Sequence, residues 1–147
     1  MPHATAQAPF QHLSLKDRVI IVTGAGSGIG ASAAALAAKR GAAVIAADVN
    51  AEGCEAVAAE IRQQGGEAAT FTGDISSESN VRAMIAFALK QYGGLHGAFN
   101  NAGITSKGAP LTEMPIEDWQ RMLDVNLTSV FLCLKHEIAH KIGRAHV

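Results

Sequence analysis

The chain has 147 residues, with 12 basic and 13 acidic side chains, so it makes at most one ordinary domain and carries no charge imbalance that favours nucleic acid or an anionic membrane surface. Hydrophobic residues make up 48 % and aromatics only 5 %, with alanine and glycine in excess, a composition suited to helices packed closely on a sheet. No apolar run nears the roughly 20 residues that span a bilayer, and Cys54 and Cys133 lie far apart without metal-type spacing, which reads as two buried thiols in a reduced, cytoplasmic protein.

Residues 1–12 read as a flexible tail: Pro2, Pro9 and small polar residues offer nothing to bury, and no apolar core of a secretory signal is present. Val19 to Val22 is an apolar run suited to a strand buried on both faces. Thr23-Gly24-Ala25-Gly26-Ser27-Gly28-Ile29-Gly30 follows, then a helix predicted from about Ile29 to Arg40 and stopped by Gly41. Gly24 permits a sharp turn, Gly26 and Gly28 let the backbone approach a ligand, and Gly30 removes a side chain where helix must meet strand. The helix would aim its free N–H groups and positive dipole end at the turn, which favours phosphate. Strand, glycine turn and helix together are the architecture of a dinucleotide site, though a tight turn without ligand has the same look.

Ala42 to Ala47 reads as a second strand with Asp48 at its end, 18 residues beyond Gly30. A carboxylate at about this spacing accepts hydrogen bonds from an adenosine ribose and repels a 2′-phosphate; the alternative is a helix cap or turn residue. Asn50 is placed to cap a helix whose buried face is Cys54, Val57, Ala58 and Ile61, ended by Gly65-Gly66. Glu67 to Thr72 reads as the third strand, followed by Gly73-Asp74-Ile75. Val81, Met84, Ile85, Ala88 and Leu89 form a clear helical stripe, which Gly93-Gly94 ends. Leu95 to Phe99 is the fourth predicted strand, leading into Asn100-Asn101-Ala102-Gly103. This alternation predicts an α/β fold, a Rossmann-like, doubly wound parallel sheet in the order 3-2-1-4, with a cofactor crevice between strands 1 and 4 at their carboxyl ends. A polar loop, Ile104 to Pro115, precedes a helical region that starts near Ile116 and carries Trp119, Met122 and Leu123; after Asn126 a further stripe is Leu127, Val130, Phe131, Leu134 and Ile138.

The Thr-Gly-x-x-x-Gly-x-Gly turn, Asp48, Asp74, Asn100-Asn101-Ala102-Gly103 and Leu123-Asp124-Val125-Asn126-Leu127 together resemble the short-chain dehydrogenase/reductase family. The resemblance implies hydride transfer between a nicotinamide cofactor and a small-molecule alcohol or carbonyl substrate, in a protein that assembles as a homodimer or homotetramer. It implies that Gly24, Ser27, Gly28 and Ile29 cradle the pyrophosphate side, Asp48 the ribose, Asp74 and Ile75 the adenine, and Asn100, Ala102 and Gly103 the inner nucleoside. Asn126 is the implied catalytic asparagine, holding a water in the proton relay, with a structural buried amide as the equal alternative. NAD is the expected cofactor and NADP the less favoured one, because neither Ser27 nor Val49, where NADP-binding members often carry a basic residue, is Lys or Arg.

The family's Tyr-x-x-x-Lys has no counterpart: the sole tyrosine, Tyr92, is followed four residues later by His96 and reads as a packing residue. The serine-bearing strand is likewise without counterpart, so residues 13–141 read as the N-terminal, NAD-binding part of a longer oxidoreductase domain, and the chain itself as catalytically inactive. Residues 142–147 depart from the family and resemble one reading frame of a common sequencing adapter, which marks them as a non-native tail. Two other classes stay open: a non-catalytic dinucleotide sensor, and a zinc hydrolase built on His136-Glu137-Ile138-Ala139-His140, an H-E-x-x-H pattern with no third ligand following.

Overall fold

A computed structural model describes residues 14–106 and 108–142; the expected tail over 1–12 and residues 143–147 lie outside the described residues. Four parallel strands, β1 (Val19–Thr23), β2 (Ala43–Asp48), β3 (Glu67–Thr72) and β4 (Gly97–Asn100), form one sheet in the order β3-β2-β1-β4. The connecting helices are α1 (Gly28–Lys39), α2 (Ala51–Gln63) and α3 (Glu78–Tyr92), and a continuous C-terminal helical run holds α4 (Ile116–Leu123), a π-helical turn (Asp124–Thr128) and α5 (Ser129–Ile142). The doubly wound parallel sheet and its strand order are those predicted. The last strand is shorter than Leu95–Phe99, because His96 spends itself on β1: its N–H donates to the Val19 carbonyl and its Nδ1 accepts from the Val19 N–H, each at 2.9 Å.

Alternation along the strands divides the core into two layers. Val19, Ile21, Ile45 and Ala47 face α3 and α5, where Val81, Met84, Ile85, Ala88, Leu132 and Cys133 close on them. Val22, Val44 and Ala46 face α1 and α2, where the buried residues are Ala34, Ala37, Ala38, Cys54, Ala58 and Ile61. The alanine excess is spent on this second layer, since small side chains let both helices lie close to the sheet. Cys54 and Cys133 are both free and buried, and burial pushes their thiols up to about 11 and about 12. Tyr92 packs against the first layer, as its reading as a packing residue requires. Asn50 caps α2, its side chain accepting from the Gly53 N–H at 3.1 Å.

The stripe Leu127, Phe131, Leu134 and Ile138 lies on the outer side of the C-terminal helical run, exposed, while Val125, Ser129, Leu132, Cys133 and Glu137 turn inward. Periodicity alone could not choose between these faces, because both are largely apolar. The π turn decides it: the Ser129 N–H reaches back five residues to Asp124, and the Ser129 hydroxyl takes up the Val125 carbonyl. Across the sheet's first layer, Lys135 and His136 of α5 both meet Glu78 Oε1 of α3 at 2.8 Å.

Gly30 marks the tightest joint of the fold. A Cβ built there would stand 2.0 Å from the Gly24 carbonyl oxygen and 2.6 Å from its carbon, both main-chain atoms that cannot swing aside. Gly30→Ala should therefore lower the unfolding free energy by about 2–4 kcal/mol in urea titration, even though alanine raises intrinsic helix propensity by about 1 kcal/mol; unchanged stability would disprove this packing. Hydrogen bonds from Lys135 and His136 hold the Glu78 carboxyl down at about 2, against an ordinary 4.5. A depressed carboxyl stabilises the fold above its unfolded pKa and ceases to do so as pH falls through its folded one. The urea midpoint should thus drop more steeply for the parent chain than for Glu78→Gln between pH 4.5 and 2. The difference should be small and should shrink in 1 M salt, since the pair is exposed.

Candidate functional site

The carboxyl ends of the strands open into one cavity of about 120 Å³. Gly24 and Thr23 line it from β1, Ala47, Asp48 and Val49 from β2, Gly73, Asp74 and Ile75 from β3, Ala102, Gly103 and Ile104 from β4, and Arg121 and Val125 from the helical run. An apolar cavity of about 150 Å³ holds a benzene ring, so the enclosed part suits one flat ring rather than a whole dinucleotide.

Its walls are fixed by hydrogen bonds that cross between strands. Thr23 is fully buried, and its Oγ1 accepts from the N–H groups of Asn101 at 3.0 Å and Ala102 at 3.1 Å, while Asn101 Nδ2 donates to the Thr23 carbonyl. Asp48 ends β2 with Oδ2 accepting from the Gly26 N–H and Oδ1 from the Asn50 N–H, both at 3.0 Å. The carboxylate therefore braces the glycine turn and the start of α2 together. Gly26 also stands so close to Asp48 that a Cβ there would lie 3.0 Å from Oδ2.

At the third wall, Asp74 Oδ1 accepts from the Ser76 N–H at 2.9 Å and the Ser76 hydroxyl at 2.7 Å, and Oδ2 accepts from Arg121 Nη2 at 2.8 Å. Partial burial alone would raise the Asp74 pKa, but the Ser76 bonds and the Arg121 guanidinium outweigh it and hold the carboxyl below its usual range.

Gly24, Asp48, Asp74, Ile75, Ala102 and Gly103 thus come together around one space. Ser27, Gly28 and Ile29 are exposed at the amino end of α1, outside that cavity. Gly28 has φ +54°, a left-handed backbone, and nothing lies within 4 Å of where its Cβ would stand. The helix end has no side-chain cap from Ser27 and no acidic residue in its first turn, so its positive end is left for an anion. Asn100 turns elsewhere: its Nδ2 donates to Glu137 Oε2 at 3.0 Å, leaving Asn100 Oδ1 and Glu137 Oε1 buried without a partner. Asn126 grips the loop after β4, its Oδ1 accepting from the Ile104 N–H and its Nδ2 donating to the Ile104 carbonyl, each at 2.8 Å.

Thr23 and Arg121 belong to the site but were not singled out from sequence. Arg121 meets a partner 47 residues away, which no local pattern announces. In the H-E-x-x-H segment, His136 is engaged by Glu78 and Glu137 by Asn100. Among the described residues no group of three His, Cys, Asp or Glu side chains could hold a metal ion, and no helix is long and apolar enough to cross a membrane.

The family model described as short chain dehydrogenase matches residues 18–145. A 2,5-dichloro-2,5-cyclohexadiene-1,4-diol dehydrogenase of Sphingobium indicum is 46 % identical over 130 residues, which cover 88 % of this chain and 51 % of that protein. A cyclohexanol dehydrogenase of an Acinetobacter species is 41 % identical over 122 residues, 83 % of this chain and 49 % of the other. The crystal structure of a hydroxysteroid dehydrogenase from Escherichia coli superposes with a TM-score of 0.81 at 35 % identity, covering 86 % of this chain and 53 % of that one. The chain spans about half the length of the curated relatives it matches. With a parallel β3-β2-β1-β4 sheet, a glycine turn against its central strand and a family match over most of its length, this chain belongs to the short-chain dehydrogenase family of oxidoreductases.

Proposed function

We propose that this chain is the NAD(H)-binding half of a dehydrogenase that interconverts a secondary alcohol and a ketone. The observation that carries this reading is the cavity at the carboxyl ends of the strands, which Gly24, Asp48, Asp74 and Ile75 line together, with the uncapped amino end of α1 following from the same glycine turn. In this reading the pyrophosphate lies over Gly24, Ser27, Gly28 and Ile29, where dipole and free space favour it. Asp48 receives the adenosine ribose hydroxyls while keeping its bonds to Gly26 and Asn50, since a carboxylate offers about four acceptor positions. Ile75 flanks the adenine, and Ala102 and Gly103 the inner nucleoside, with Asn100 left only its main chain for that role because its side chain is turned to Glu137. A 2′-phosphate would be set against Asp48 with no cation at Val49 or Ser27 to offset it, so NAD is the preferred cofactor.

The cofactor supplies hydride chemistry at its nicotinamide ring. For this chain the consequence is binding without turnover: its one tyrosine, Tyr92, is packed against the core, and no lysine stands four residues on to lower its pKa. Asn126 is assigned a positioning role first, because both ends of its amide are spent on Ile104, holding the Gly103 wall in place. Its position within a π turn suits the added role of steering a relay water in the whole enzyme. Ring alcohols such as cyclohexanol are the first substrates to try with that enzyme, since two relatives are dehydrogenases named for cyclic alcohols. We further place the whole protein in the cytoplasm as a homodimer or homotetramer in which the outward face of α5, with Phe131 and Leu134, is covered. The sensor reading shares the binding step and departs only if the whole protein binds NADH yet oxidises no alcohol.

Titrating the 147-residue chain with NADH should enhance nicotinamide fluorescence at saturable concentrations, with NADPH binding weaker by about tenfold or more. Asp48→Ala should weaken NADH and narrow that ratio; no binding of either nucleotide by a folded chain would overturn the proposal. Asn126→Ala should cost about 1–3 kcal/mol and release the Ile104 amide to fast hydrogen exchange, whereas Asn126→Asp, which keeps the acceptor, should retain protection.

A further inference from the structure

Arg121 stands on α4, 45 residues from Ser76 and 47 from Asp74, yet it is bonded to both, its Nη1 donating to Ser76 Oγ at 2.9 Å and its Nη2 to Asp74 Oδ2 at 2.8 Å. It also lines the cavity. Helix α4 buries none of its residues, so this link is not a by-product of core packing. The three side chains form a closed circuit, because the Ser76 hydroxyl that accepts from Arg121 also donates to Asp74 Oδ1. With Oδ1 taken twice by Ser76, the carboxylate cannot rotate freely, and Oδ2 keeps about one acceptor position beyond the Arg121 bond. That remaining position is where an exocyclic amine on a ring in the cavity would donate.

Resting on the dinucleotide reading, we propose that Arg121 is a positioning residue for the base: it locks Asp74 so that Oδ2 selects a 6-amino purine over a 6-oxo one. A 6-oxo group would present an acceptor to the Asp74 carboxylate, itself only an acceptor. The arrangement also ties the strand end that holds the base to the helix whose continuation carries Asn126.

The test uses NADH and its deaminated analogue, nicotinamide hypoxanthine dinucleotide in reduced form, with the full 147-residue chain. The parent chain should bind NADH tighter than the analogue. Arg121→Gln should weaken NADH about five- to tenfold and leave the analogue nearly unchanged, so the ratio collapses. Ser76→Ala, which opens the circuit from the other side, should shift the ratio the same way by less, with circular dichroism and thermal melting confirming that both variants fold. Equal weakening of the two nucleotides would make Arg121 a general anion attractor and overturn the proposal, as would unchanged NADH affinity or tighter NADH binding by Arg121→Gln. If the parent chain binds neither nucleotide, it is the dinucleotide reading that fails.

Discussion

The buried hydroxyl of Thr23 holds the crevice together. It sits at the carboxyl end of the central strand, takes two main-chain N–H groups from the segment after β4, and has its own carbonyl bonded by the Asn101 amide. Loops normally run over the surface because their polar backbone needs water; here the loop is drawn into the sheet's end, and threonine supplies the acceptor that water would have supplied. The result is a floor made from two strand ends at fixed spacing. Glycine at 24 and 30 then lets α1 descend onto that floor, and Asp48 fastens the turn to the next strand. A ligand laid across this surface meets groups already in position, which lowers the ordering cost of binding.

Two acids border the groove, and they are held differently. Among the described residues Asp48 accepts from two backbone N–H groups, those of Gly26 and Asn50. Asp74 has a full cation beside it. In the reading proposed above, the first discriminates by charge and the second by hydrogen-bond pattern, a division of labour that a list of acidic residues would not reveal.

Most of the scaffold was legible in the residues. Val19 to Val22, Ala42 to Ala47 and Glu67 to Thr72 read as strands because β-branched and small apolar runs stop at or just before a glycine or an aspartate, and the short links left one right-handed order for a parallel sheet. The glycine turn and Asp48 could be picked out because their spacing is regular, whereas the Asp74–Ile75 pair came only from the family resemblance. Arg121 and Thr23 were not, since their partners arrive only when distant segments meet. The inward face of α5 was hidden for another reason: both sides of that helix are apolar, and the widened turn at 124–128 breaks the period on which the reading depends. Glu137 shows the converse. A glutamate in a helical stripe reads as solvent-facing or, after a histidine, as part of a zinc motif, whereas here it is fully buried against Asn100 at the end of β4.

That widened turn also fixes the rotation of everything after it. A π turn is an α-helix with one residue too many, and each residue of an α-helix rotates its successors by about 100°. Excising a single residue between Asp124 and Thr128 would restore a straight ladder and swing everything downstream around the axis. Cys133 and Glu137 would leave the sheet, and a different set of side chains would take their place. The turn that carries Asn126 therefore sets the phase with which the whole of α5 meets the sheet.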